Sequence, residues 1–206
     1  MKFLFPILAN PAKIFIFSAL LSLNSEAAEI GLSRQNVAGA SPPLTVAAVI
    51  ISGQIEKGDA KKVEALLDEV KRTDDGHQLR RLLIHSPGGL IGEAMEIGRL
   101  IRANGVEVFL PRQTSCISAC VLVIAGGTTR ILDGQVGLDH PHFLRAGGPG
   151  DDVPALLAES KQIMRDYFHS MGVAEDLADA MFSLPDGTVR YLRQDELSQY
   201  QLKRDH

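Results

Sequence analysis

Short, nearly continuous apolar runs that alternate with helically spaced apolar positions set the architecture open to this chain. Leu44 to Ile51 is such a run, rich in Val and Ile. A strand is apolar at consecutive positions when both of its faces are covered, as in a parallel sheet packed with helices. Gly53-Gln54-Ile55 leaves that strand, and Val63, Leu66, Leu67 and Val70 follow at helical spacing with Lys and Glu between them, the pattern of an amphipathic helix. Leu82, Leu83 and Ile84 make a second buried strand that runs straight into Ser86-Pro87-Gly88-Gly89. A second helix carries Leu90, Ala94, Ile97 and Ile101 on one face, and Asn104-Gly105 stops it. Val106 to Leu110 is a third strand. Strands alternating with helices imply a mainly parallel sheet with crossover connections. The expected class is therefore α/β.

Thr114 to Gly127 is small, then apolar, then closed by two glycines. It reads as a turn into a buried helix. Ile131 and Val136 to Leu138 suggest two short strands around an Asp133-Gly134 turn, and Ala146 to Asp152 is a Gly-rich loop. Leu156, Leu157, Met164, Tyr167, Phe168 and Met171 mark an amphipathic helix. A short helix from Glu175 to Phe182, a strand from Val189 to Leu192 and a last helix from Asp195 to Tyr200 complete the chain.

The N-terminus reads differently. Ile14 to Leu23 is an apolar run, shorter than the about 20 residues that span a bilayer, and it fits the core of a secretory signal peptide. Ser25-Glu26-Ala27 puts small residues at the −3 and −1 positions, so residues 1–27 are expected to be removed after Ala27. The alternative is an uncleaved anchor, the one way in which a membrane would be a partner. Either expectation places the domain outside the cytoplasm, in the periplasm or secreted. Residues 28–43, small and polar and ending in Pro42-Pro43, read as a linker. Residues 44–206 then form one domain. Net charge is −4, with no run of like charges. A nucleic-acid-binding domain would show a basic stripe, so nucleic acid is not an expected partner. Cys116 and Cys120 are the two cysteines. On one helix their Cα atoms would lie about 6 Å apart, within disulfide range, and an oxidising compartment allows the bond. Two small buried thiols fit the spacing equally.

Three places carry residues suited to chemistry. In Ser86-Pro87-Gly88-Gly89, a glycine pair after a buried strand lets backbone N–H groups approach a ligand at the positive end of the next helix. A simple tight turn is the plainer reading. Ser118 sits among small residues before an apolar helix, where a nucleophile's hydroxyl is exposed and the next N–H, from Ala119, points at the carbonyl oxygen. A serine bonded back to a helix carbonyl is the alternative. Asp139-His140-Pro141-His142 offers a general base some twenty residues on. His140 and His142 also have a spacing suited to a metal, but no further cluster supports one, so neither metal nor cofactor is expected.

Together these segments resemble the ClpP-like serine peptidases of the ClpP/crotonase superfamily. Val49 to Ile55 looks like that family's first strand and turn, Ser86 to Gly89 like its oxyanion turn, and Ser118-Ala119 before Ala125-Gly126 like its nucleophile segment. Tyr191-Leu192 with Glu196 and Tyr200-Gln201-Leu202 is similar to its C-terminal end. Exported bacterial ClpP-like proteins also bracket the serine with cysteines. The resemblance implies a superhelix of stacked β-β-α turns, with Ser118 as nucleophile and the N–H groups of Gly88 or Gly89 and of Ala119 as oxyanion hole. It implies peptide or protein substrates and association into homo-oligomers. The family's base is a histidine two residues before a proline, and that register here holds Asp139. His140 serves only if the strand slips by one residue, and His142 is the other candidate. The family's acidic third member falls at Val189, with Asp186 the nearest carboxylate.

The expected function is an exported serine hydrolase, a peptidase before an esterase. The alternatives are a catalytically weakened relative that binds peptides or partner proteins, motivated by Asp139, and a crotonase-type enzyme acting on acyl thioesters.

Overall fold

The computed structural model describes residues 27–41, 44–74, 78–142 and 152–203. The core is a five-stranded sheet. It contains β1 (Glu29–Val37), β2 (Leu44–Ser52), β3 (Gln78–His85), β4 (Glu107–Leu110) and β6 (Arg130–Leu132), in that spatial order. The strands β2, β3, β4 and β6 run parallel. Helices α1 (Asp59–Arg72) and α2 (Ile91–Ala103) make the crossovers. Val63, Leu67 and Val70 of α1, and Ala94, Ile97 and Ile101 of α2, are buried against Val49, Ile51, Leu82 and Ile84. The periodicity in the sequence had this cause: one helical face and the pleat facing it exclude water together.

A second sheet of three strands holds β5 (Ser115–Ile117), β7 (Gln135–Leu138) and β8 (Arg190–Tyr191), ordered β5-β7-β8. The helix α3 (Cys120–Gly126) leaves β5 and is buried along its whole length. It crosses α2 at two glycines. A Cβ on Gly126 would lie 2.5 Å from the Gly98 Cα and run into the Gly98 carbonyl, so the two backbones meet at a distance no larger residue permits. The longest helix, α4 (Val153–Ser170), fastens onto this crossing, where the Tyr167 hydroxyl donates to the Leu122 carbonyl at 2.7 Å. Then come α5 (Asp176–Phe182) and α6 (Gln194–Gln199). The buried Glu196 carboxylate accepts from the Arg193 amide and from Arg190, holding the end of β8 to the start of α6.

Two expectations need correcting. The stretch taken as a linker, residues 28–43, contains β1, which pairs antiparallel with β2 over nine residues from Glu29↔Ser52 to Val37↔Leu44. Only Ile30 and Leu32 of it pack against the core, and the small and polar residues around them hid it. An edge strand with one face in water gains its order from the backbone ladder, and charged residues such as Arg34 suit that place. The Asp133-Gly134 turn joins no hairpin: β6 ends in the large sheet and β7 begins in the small one. Residues 1–26, all but the last residue of the expected signal segment 1–27, lie outside the described residues, as does nearly all of the Gly-rich loop from Ala146 to Asp152. Among the described residues no helix is long and apolar enough to cross a membrane.

The face of the large sheet away from α1 and α2 carries an apolar row. Ile50, Leu83, Phe109 and Ile131 sit side by side in register on four neighbouring strands, with Ile50 and Ile131 exposed.

Candidate active site

The site forms where the two sheets touch. Ser86, fully buried, bridges the end of β3 to β5: its amide donates to the Ser115 carbonyl at 3.1 Å, and the Ile117 amide donates to its carbonyl at 3.0 Å. Its hydroxyl turns inward and accepts from the Gly88 amide at 3.0 Å. This is the local serine-to-backbone bond that favours a turn. Gly88 and Gly89 have φ values of 107° and 139°, a region that only glycine occupies freely. Gly89 is also held against Ile55. A Cβ there would lie 2.7 Å from the Ile55 nitrogen, and the Ile55 amide donates to the Gly88 carbonyl at 2.7 Å.

Ser118 follows β5 with φ of 59°. A non-glycine residue held in that region costs on the order of 1–3 kcal/mol and persists only where its surroundings impose it. Here they do. The Ser118 amide donates to the Gly137 carbonyl at 3.0 Å on β7, and the Ser118 carbonyl accepts from Val121 at 3.0 Å inside the first turn of α3. A disulfide joins Cys116 to Cys120 across the turn, with Cα atoms 5.3 Å apart.

Gly88 faces this elbow directly. A side chain on it would put its Cβ 2.7 Å from the Ser118 Cβ and 3.1 Å from the Ala119 nitrogen. The absent side chain therefore leaves open the space over Ser118 and beside the Ala119 N–H. Of the three amides expected to form an oxyanion hole, Gly88 is taken by Ser86, whereas those of Gly89 and Ala119 bond to no acceptor among the described residues. Of the two glycine amides, that of Gly89 is the uncommitted one.

Asp139 follows the last residue of β7, whose register against β5 (Ile117↔Gly137) brings it beside Ser118. Its Oδ1 is sealed from solvent with no hydrogen-bond partner among the described residues. Burial pushes the carboxyl above the ordinary carboxylate value, and the Ser118 hydroxyl, His142 and His140 pull it back only in part. The strand does not slip, so His140 faces elsewhere. Its Nδ1 lies 2.9 Å from the Leu184 carbonyl. A carbonyl only accepts, so Nδ1 carries a proton there. The ring packs edge-on against Phe182, with centroids 5.8 Å apart. His142 is exposed, its ring 6.2 Å from that of His140. Among the described residues no hydrogen bond joins Ser118 to either histidine. Asp186 is exposed and likewise without a hydrogen bond or ion pair among them. The backbone of Leu184, two residues earlier, is what holds His140. Among the described residues no group of three or more His, Cys, Asp or Glu side chains is arranged to hold a metal.

Two solved structures share this arrangement of strands and helices. One is 1510-N, a membrane-bound stomatin-specific protease, with a TM-score of 0.57 at 17% identity over 77% of this chain and 76% of that one. The other is ClpP1 from Listeria monocytogenes, at 0.56 and 16% identity over 76% of this chain and 88% of that one. The chain has the ClpP fold. No protein-family model matches it, and no curated protein does. Within the ClpP fold of this chain, two site features escaped the sequence reading. The Ser86 hydroxyl left a signal that could have found it, because a serine two residues before a turn glycine favours that bond. The Leu184 carbonyl was not, because a backbone acceptor 44 positions from His140 leaves no mark on residue types.

The half-buried Asp139 carboxyl has a consequence for stability. The folded chain holds its proton more tightly than the unfolded chain, so this contribution favours folding below the unfolded value near 3.8 and is lost as pH rises through the raised folded one. Asp139→Asn should therefore raise Tm at pH 7, by roughly a few degrees for a chain of this size, and leave it unchanged near pH 3. Thermal unfolding at the two pH values measures this; an equal shift at both would mean that ionisation is not its source.

Proposed function

We propose that this chain is a serine hydrolase of the ClpP fold acting on peptides, with Ser118 as nucleophile and the amides of Gly89 and Ala119 as oxyanion donors. The observation that carries this reading is the strained Ser118 elbow, open over Gly88 and flanked by two uncommitted amides. A buried structural serine needs neither the strain nor the open space. In this scheme a substrate carbonyl enters over Gly88, Ser118 attacks it, and the developing oxyanion is held by the two N–H groups. Asp139, in its ionised form, takes the Ser118 proton. Reactivity accordingly rises with pH through the raised Asp139 value. Labelling of Ser118 by a fluorophosphonate tests the reading, and an unreactive, folded protein would overturn it.

A second reading has its own support. With Asp139 beside Ser118 and His140 engaged by Leu184, the base is a weak one. The same site then holds a peptide or partner protein with little or no turnover.

The reading includes export and self-association. The Cys116–Cys120 bond supports the first, since disulfides persist in oxidising compartments. The apolar row of Ile50, Leu83, Phe109 and Ile131 supports the second, because exposed contiguous apolar surface marks contact sites. The expected natural product begins at Ala28 and sediments as more than a monomer. A monomer that keeps residues 1–27 would remove both.

A further inference from the structure

Ser118 lies at the centre of the loop that the Cys116–Cys120 bond closes. We propose that this disulfide is a positioning clasp that holds the Ser118 elbow in its attacking conformation. The inference rests on the hydrolase reading for its catalytic half only.

The elbow has few other restraints. The strand β5 is three residues long and α3 seven. Ser118 must take φ of 59° between them, a conformation the isolated chain would leave for the ordinary region. Two hydrogen bonds resist that: Ser118 N–H to Gly137 and Val121 N–H to Ser118. The bridge adds a covalent restraint across the same residues. Cys116 is in register with Ser86 and with Val136, so its Cα is fixed relative to the oxyanion turn and to β7. Cys120 opens α3, whose side chains are all buried. Tying these two positions fixes how far β5 lies from the start of α3. That spacing sets the direction of the Ser118 hydroxyl and of the Ala119 N–H together. Both cysteines are fully buried, away from any solvent thiol. A bond placed merely to cross-link a domain would close a long loop, where the entropic gain is larger. This one closes a short loop, of sequence separation 4, with the nucleophile at its centre.

The test uses three forms of the full chain: the oxidised parent, the parent folded under reductant, and the Cys116→Ala/Cys120→Ala variant. Hydrogen exchange of the 117–121 amides is read beside that of α1 and α2, together with the rate of fluorophosphonate labelling and, on an ester substrate, kcat and KM separately. The clasp predicts at least tenfold faster exchange in 117–121 for both unbridged forms, with α1 and α2 unchanged. It also predicts at least a tenfold loss in labelling and in kcat with KM held, and recovery when the reduced parent is reoxidised. Equal exchange in all three forms would overturn the clasp. Faster exchange with undiminished labelling would overturn its positioning role. An oxidised parent that does not label at all sinks the hydrolase reading instead, while exchange still decides whether the bridge holds the elbow.

Discussion

Asp139→His is expected to raise the reactivity of Ser118 by at least about tenfold, a part of the roughly 10²–10⁴ that a well-matched general base contributes in full. Asp139 already occupies the place from which a base would act. It follows β7 directly, it faces the Ser118 hydroxyl, and Pro141, buried two residues on, anchors the segment. A carboxylate there is a poor match for a serine proton, because its affinity for protons is far below that of an alkoxide. An imidazole with a value near 6.5 narrows that gap. The new histidine would lack a carboxylate to orient it, since Asp186 is exposed and an apolar residue, Val189, stands where the resemblance to ClpP-like peptidases would put the acid. Adding Val189→Asp should therefore raise kcat further with little change in KM. The readout is the rate of fluorophosphonate labelling and kcat/KM on an ester across pH 5–9, where the variant should gain an inflection near the histidine value. A variant that folds and stays as slow as the parent would show that Ser118 and residue 139 are not arranged for proton transfer, and the peptide-binding reading would replace the hydrolase.

Ser118→Ala should abolish labelling and hydrolysis altogether. In a serine protease worked out in full, loss of the nucleophile costs on the order of 10⁶ in kcat, so the residual rate should fall below detection. Ser118→Gly should be equally inactive but more stable, because glycine accepts φ of 59° without strain. The gain expected from releasing that strain is about 1 kcal/mol. The pair separates two questions. Activity surviving in either variant would exclude Ser118 as nucleophile. Equal stability of the serine, alanine and glycine forms would mean that the elbow stores no strain, and would remove the observation on which the functional reading rests.

The order of strands and helices from Leu44 to Leu110 was legible because each buried face repeats at the period of its element. The chemistry of the turns was legible too: Ser86 through Gly89 and the small residues around Ser118 are types that only particular backbone shapes require. The edge strand β1 was not, because a strand with one face in water can be polar throughout and draws its order from a partner's backbone. The separation of β6 from β7 was equally hidden, since a turn residue marks a change of direction and not the sheet that receives the next strand.

At the site the division is sharper. The resemblance to ClpP-like peptidases, whose base stands two residues before a proline, pointed to Asp139 as the residue at that place beside the serine. What Asp139 experiences there is a matter of burial, and burial is a sum over residues distant along the chain. The same holds for His140, whose proton is placed by the Leu184 carbonyl, and for the Gly88 amide, withdrawn by the Ser86 hydroxyl. Residue types and spacing determined the fold and named the groups that could react. Which amides stay free, which carboxyl is sealed and which way an imidazole turns were decided only by the tertiary structure, because hydrogen bonds and desolvation depend on three-dimensional neighbours that the order of residues does not list.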